Sequence, residues 1–269
     1  NDGTGSLVFT NSQFSQVENN GGVSRIQGRT LTLAGSYTGG INQIQGTILD
    51  NGTGTFDGNQ TVALLVETDG TWEVSGNSGS ANGYSGGTTV ISGNLLVNNT
   101  AGSGVGFGNV TVGTEGGTAS LGGSGTIFAD NSTSRNSAKL ATRSTLTIGA
   151  NGTHTAGATI AAGSVGQQTI AGNLSYGNGA TAAWDLVANS TTNPGTNYDQ
   201  FVVNNGGSIS FDSALNLEIV FGSGVDFENS FWNTAGTNEW EIWNGTVSDV
   251  SAITFSLSED SAAENEQYF

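Results

Sequence analysis

The sequence predicts an all-β fold, a β-solenoid in which short strands wind into stacked coils. Three observations predict it. Short β-branched and apolar runs (Thr88-Thr89-Val90-Ile91, Leu95-Leu96-Val97, Val110-Thr111-Val112, Thr126-Ile127-Phe128) recur between turns of Gly, Asn and Ser. Each run is too short to form a stable sheet alone, so its apolar side is buried only when neighbouring coils stack on it. Glycine supplies 44 of 269 residues, proline one, and charged residues 10%. A disordered chain of this polarity would carry more Pro and charge and fewer Val, Ile, Leu and Phe.

Taken in order, strands are expected between Gly5 and Phe56 at Leu7–Phe9, Leu31–Leu33 and Ile41–Ile48. The stretch from Thr61 to Tyr176 is the most regular and adds Leu146–Ile148, Thr159–Ile160, Thr169–Ile170 and Leu174–Tyr176. Many of these alternate Thr with an apolar residue, the pattern of a strand with one face buried and one wet. The polar segment Asn131–Arg143 holds three of the five basic residues and reads as a surface loop or a single helical turn. From Ala182 the strands lengthen (Leu215–Phe221) and aromatics cluster: Trp184, Phe227, Phe231, Trp232, Trp240 and Trp243. The expected division is therefore solenoid coils over residues 1–180, with an edge strand around 6–10. Residues 181–269 form the solenoid end and a β-rich, aromatic capping subdomain. Repetition is degenerate: Tyr37-Thr-Gly-Gly40 recurs as Tyr84-Ser-Gly-Gly87, and Gly46-Thr-Ile48 as Gly125-Thr-Ile127. Coils of roughly 20–25 residues about 4.8 Å apart would give some ten coils and a rod of about 50 Å.

The formal charge is −17, from 22 acidic and 5 basic residues, and 13 of the acids lie from Asp185 onward. So few cations cannot displace the counterions of a nucleic acid, and an anionic membrane surface is disfavoured for the same reason. No stretch approaches the roughly 20 apolar residues of a membrane-spanning helix. Cysteine and methionine are absent. The first excludes disulfides and thiolate chemistry; the second leads to the expectation of a processed N-terminus, a secretory signal peptide removed.

The residues also carry a resemblance. Asn82-Gly-Tyr-Ser-Gly-Gly-Thr-Thr-Val90, followed by Gly93-Asn-Leu-Leu-Val97 through Gly104, resembles the autotransporter-associated β-strand repeat of bacterial passenger domains. Gly122–Ile127, Leu146–Gly149 through Leu174, and Tyr198–Val203 are similar to the downstream part of such proteins, and the resemblance spans roughly Leu31 to Phe221. It implies a right-handed parallel β-helix, export and display at the cell surface, with no catalytic residues to carry over. The sequence shows neither a translocating C-terminal barrel nor a sorting tail, so a mature product or another export route is expected.

Chemistry is thin. Lone His154 cannot build a metal site or, without supporting spacing, a Ser-His-Asp triad. Glu67, Asp69 and Glu73 share one parity around an expected turn at Asp69-Gly70, and solvated strand ends explain them as well as a carboxylate pair does. Asp50–Gly58 is Asp-rich but lacks the closing Glu of an EF-hand, so weak, incidental calcium binding is the most it offers; no cofactor is expected. Nine Asn-x-Ser/Thr sequons include Asn51, Asn59, Asn98, Asn109, Asn131 and Asn151.

The resulting expectation is a non-catalytic extracellular structural protein. It is a surface or matrix component that self-associates head to tail through an edge strand at Leu7, Val8 and Phe9. The second reading is an adhesin that binds surface glycans on an aromatic platform of Trp232, Trp240 and Trp243, with Trp240 and Ile242 on one strand face and Trp243 on the other. A polysaccharide-active enzyme is the third.

Overall fold

A computed structural model describes residues 1–10, 13–14, 28–50, 61–75, 82–128, 144–212, 214–233, 238–247 and 254–258. The first strands are β1 (Val8–Phe9), β2 (Gln13–Phe14), β3 (Arg29–Gly35), β4 (Ile41–Ile44), β5 (Thr47–Ile48), β6 (Val62–Val74) and β7 (Thr88–Val97). A regular series of threes follows. It comprises β8 (Val110–Val112), β9 (Ala119–Gly122), β10 (Thr126–Ile127); β11 (Thr145–Ile148), β12 (Gly152–His154), β13 (Gln167–Ile170); and β14 (Asn173–Tyr176), β15 (Ala180–Leu186), β16 (Gln200–Val203). The chain continues with β17 (Ser208–Phe211), β18 (Ala214–Phe221), a four-residue helix α1 (Ser230–Asn233), β19 (Trp243–Asn244), β20 (Thr246–Val247) and β21 (Thr254–Ser258).

The protein is all-β, and every strand pair among the described residues is parallel. The strands stack in columns. One column runs β3-β6-β7-β8-β11-β14-β17-β20 and a second β1-β4-β6-β7-β9-β12-β15-β18-β21. β6 and β7 are long enough to belong to both, which joins the two into one curled 15-stranded sheet. A third column, β10-β13-β16-β19, stands apart. Backbone bonds extend it toward β5: Gly83 N–H donates to Ile48 O (2.8 Å), Asn82 N–H to Ser103 O (2.9 Å) and Gly104 N–H to Thr126 O (2.9 Å).

Alternation along these strands puts like residues into files. Leu31, Leu64, Thr88, Val110, Leu146, Leu174, Ile209 and Val247 lie opposite one another in turn along the first column. The six inner members are buried, and only the two ends are not. Thr88 is tolerated among them because its hydroxyl pairs with buried Tyr84 Oη at 2.6 Å. Neighbouring files hold Val66, Val90, Val112, Ile148 and Tyr176, and Leu95 and Leu121, all fully buried.

Several expectations need correction. The file above advances by 22 residues from Thr88 to Val110, by 36 to Leu146, by 28 to Leu174 and by 38 from Ile209 to Val247. Coils of 20–25 residues therefore fit only the two steps from Leu64 to Thr88 and from Thr88 to Val110. Nine tiers, the length of the second column, spaced about 4.8 Å stand about 38 Å tall, not 50 Å. Strand register fixes the tier, and the corners absorb insertions of any length. Asp69-Gly70 does not separate two strands: β6 continues through it, with a register irregularity against β7 between Glu67 and Thr71. β7 likewise joins the two apolar runs expected to be separate strands, bending at Gly93 with φ +74°, where a side chain would be strained. Thr159–Ile160 forms no strand. The two Tyr-x-Gly-Gly blocks are not equivalent: Tyr37 is half-buried between β3 and β4, whereas Tyr84 is fully buried before β7. Asn131–Arg143 lies outside the described residues.

Two buried tryptophans make a direct stability comparison. Trp184 Nε1–H donates to Asp199 O at 2.8 Å, whereas Trp72 Nε1 is buried with no partner among the described residues. Trp72→Phe removes an unmet donor and Trp184→Phe orphans a buried carbonyl. Trp184→Phe should therefore cost about 1–2 kcal/mol more in denaturant unfolding; equal costs would contradict the assignment.

Candidate functional site

The C-terminal tiers concentrate the unusual chemistry. β15 turns Ala180, Ala182, Trp184 and Leu186 inward, and β18 lies directly on it in register, Trp184 opposite Ile219 and Leu186 opposite Phe221. The pairing of β18 with β21 ends at Glu218↔Ser258, so Ile219 and Phe221 lie past the end of that described register and are only half-buried. The chain then leaves the sheet through α1 and returns along residues 238–243, laying Trp232, Trp240 and Ile242 against them. Together with Trp184 and Leu186 these walls enclose an open apolar cleft of about 120 Å³.

The expected platform tryptophans divide between two places. Trp232 and Trp240 face each other across 6.0 Å in the cleft, and Trp240 meets Trp184 edge-on at 5.8 Å. Trp243 sits elsewhere, edge-on to Tyr176 (6.0 Å) and Phe211 (5.3 Å). All three are half-buried, and each indole N–H is donated within the chain: Trp232 to Asn189 Oδ1, Trp240 to Ser190 O, Trp243 to Tyr176 Oη. Residues 239–242 are not a strand, which corrects the expected alternation, although Trp240 and Ile242 do share the cleft.

At the opposite end, β1 pairs with β4, Val8 opposite Gln43 and Phe9 opposite Ile44. Asn42, itself buried, fixes this strand: its Oδ1 accepts from Leu7 N–H (3.0 Å) and from Asn1 Nδ2 (2.7 Å). Leu7, Val8 and Phe9 stay exposed at 41%, 48% and 41%.

His154, 0% exposed, lies in the core beneath the cleft tiers. Gln168 Nε2 donates to Gly123 O, so Gln168 Oε1 must accept, and His154 Nε2 therefore carries the proton (2.6 Å). His154 Nδ1 then accepts from Tyr176 Oη (2.7 Å), which in turn accepts from Trp243 Nε1 (3.3 Å). Every group in this chain is satisfied. Burial pushes the His154 imidazole down to about 4 and the Tyr176 phenol upward.

Two carboxylates nearby were not singled out from the sequence. Asp199 N–H donates to Asp185 O (2.9 Å), and Asp185 N–H to Asp199 Oδ2 (3.3 Å). Their side chains tie down the connection between β12 and β13: Asp185 Oδ1 accepts from Gly163 N–H (2.7 Å) and Asp199 Oδ1 from Gly166 N–H (2.8 Å). Burial, helped by the Asp185 charge, pushes Asp199 up to about 7; burial also raises Asp185. The available signal was a pair of aromatic-Asp dipeptides, Trp184-Asp185 and Tyr198-Asp199, whose rings meet at 6.0 Å.

Glu67, Asp69 and Glu73 all point outward from the single strand β6, spread along it rather than converging across a turn. No group of three His, Cys, Asp or Glu among the described residues could hold a metal ion. Asp50 Oδ1 accepts from Val62 and Ser85 N–H; the rest of the Asp-rich loop, 51–58, lies outside the described residues. Compared with family models, curated proteins and solved structures, the chain matches none.

Proposed function

We propose that this chain is a non-catalytic structural protein of the cell exterior, a right-handed parallel β-helix that joins copies of itself end to end. The observation that carries the proposal is where exposed apolar surface falls. Among the described residues, the exposed large hydrophobics are Leu7, next to β1, Val8 and Phe9 on β1, and Val247 on β20; β1 and β20 are terminal strands at opposite ends of the stack. Terminal strands of parallel columns present backbone donors and acceptors to whatever lies beyond. A contact between unlike ends is heterologous and does not close, so it propagates into a fibre. The helical winding is supported by three columns visited in strict rotation from β8 onward, and its right hand by the general preference of parallel crossovers. Export is supported by the passenger-repeat resemblance.

Electron microscopy with sedimentation velocity at neutral pH, over a concentration series, tests the reading. Linear particles that lengthen with concentration are expected; monomers at every concentration would end it.

A further inference from the structure

We infer that the C-terminal aromatic cleft receives Phe9 of a second copy, so that the interior files of one molecule continue into the next. This rests on the self-association proposed above and names its contact. Three observations carry it.

The knob and the hole belong to one column. β1 and β18 are both members of the second column, near opposite ends. Phe9 lies opposite Ile44, which lies opposite Val74, then Val97, a file two residues beyond the one through Trp72, Leu95, Leu121, His154, Ala182 and Leu217. Trp184 and Ile219 stand two residues beyond Ala182 and Leu217, so they occupy the file of Phe9. Translation of one copy along the column axis therefore carries Phe9 toward Ile219.

Both partners have interior parity. Phe9 stacks on buried Trp72 at 6.2 Å yet is 41% exposed because the stack ends there. Ile219 and Phe221 continue the inward alternation of β18 and are half-buried at the other end.

Size agrees. An apolar cavity of about 150 Å³ holds a benzene ring; the cleft measures about 120 Å³ and is partly open, room for one phenyl group.

The test mixes ¹⁴N- and ¹⁵N-labelled copies of the full chain carrying a benzophenone side chain at position 9. Illumination is followed by mass spectrometry, alongside sedimentation of the parent and Phe9→Asp. Circular dichroism confirms that each variant keeps the parent fold. Cross-links between copies to the segment 219–243, with association at least tenfold weaker in Phe9→Asp, are expected. If the parent assembles but the cross-links fall elsewhere, or Phe9→Asp assembles as the parent does, this docking is wrong while self-association stands. A parent that stays monomeric removes both.

Discussion

Between about pH 4 and 6.5, Asp199→Asn and His154→Gln should tilt the stability of this protein in opposite directions. His154 is held neutral down to about pH 4 in the folded chain, against an ordinary value of 6.5. As pH falls from 6.5 to 4 the unfolded chain takes up a proton that the folded chain refuses, so stability is lost on acidification. Asp199 does the reverse. Folded, it keeps its proton up to about pH 7, while unfolded it ionises above 3.8, so stability is lost as pH rises through that window. Each effect is worth roughly 1 kcal/mol per pH unit. In the overlap the folded chain holds one proton on Asp199 and the unfolded chain one on the histidine, so the two slopes cancel in the parent. Asp199→Asn leaves the histidine slope alone, and the variant should gain stability relative to the parent as pH rises. His154→Gln leaves the aspartate slope, and that variant should lose stability relative to the parent over the same range. Asp185, also raised, adds to the aspartate side. Denaturant unfolding at half-unit pH steps measures both differences. Three parallel stability curves would show that neither group titrates differently on folding.

The chemistry of these groups explains what could be read from the sequence and what could not. Strands such as Val110–Val112, Leu146–Ile148 and Leu174–Tyr176 were legible because period-2 alternation is local: an inward Leu or Ile flanked by Thr or Ser declares its face within three residues. Tier spacing was not legible. It is set by pairing across 22 to 38 residues, and the intervening corners carry no periodic signal. Gly93 illustrates the limit, since a glycine between two apolar runs reads as a break yet here bends one continuous strand. His154 shows another. Its partners Tyr176 and Gln168 lie 22 and 14 residues away, and the three meet only because three columns face one interior. At the site, the clustering of Trp232, Trp240 and the apolar strand Leu7–Phe9 was visible as composition. The cleft walls Ile219, Phe221 and Ile242 were not, because their role follows from where the stack stops.

Stacking also predicts where the chain tolerates no extra atom. Gly207→Ala should be strongly damaging for a single added methyl, on the order of 3 kcal/mol or more. Gly207 lies between β16 and β17, directly over Gly172 of the preceding tier, and a Cβ there would stand 1.8 Å from Gly172 O and 2.5 Å from its carbonyl carbon. The obstacle is backbone, not a side chain that can swing away. Gly172 cannot retreat either, since the positions below it are occupied: its own Cβ site lies 2.5 Å from Ser144 O and 2.8 Å from the Phe128 ring. Relief therefore requires two tiers to part, which lengthens the bonds of β14 to β17 and uncovers the file of Leu174 and Ile209. Because each tier contacts only its neighbours, such a fault separates the column into two shorter stacks rather than fading along it. Gly116→Ala is the control: nothing lies within 4 Å of its added methyl, and the lost chain entropy of the unfolded state favours the variant slightly. Thermal unfolding should fall by roughly 5–10 °C for Gly207→Ala and stay level or rise for Gly116→Ala. Equal melting temperatures would mean that the tiers are not in backbone contact at this corner, and the packing of the columns would have to be redrawn.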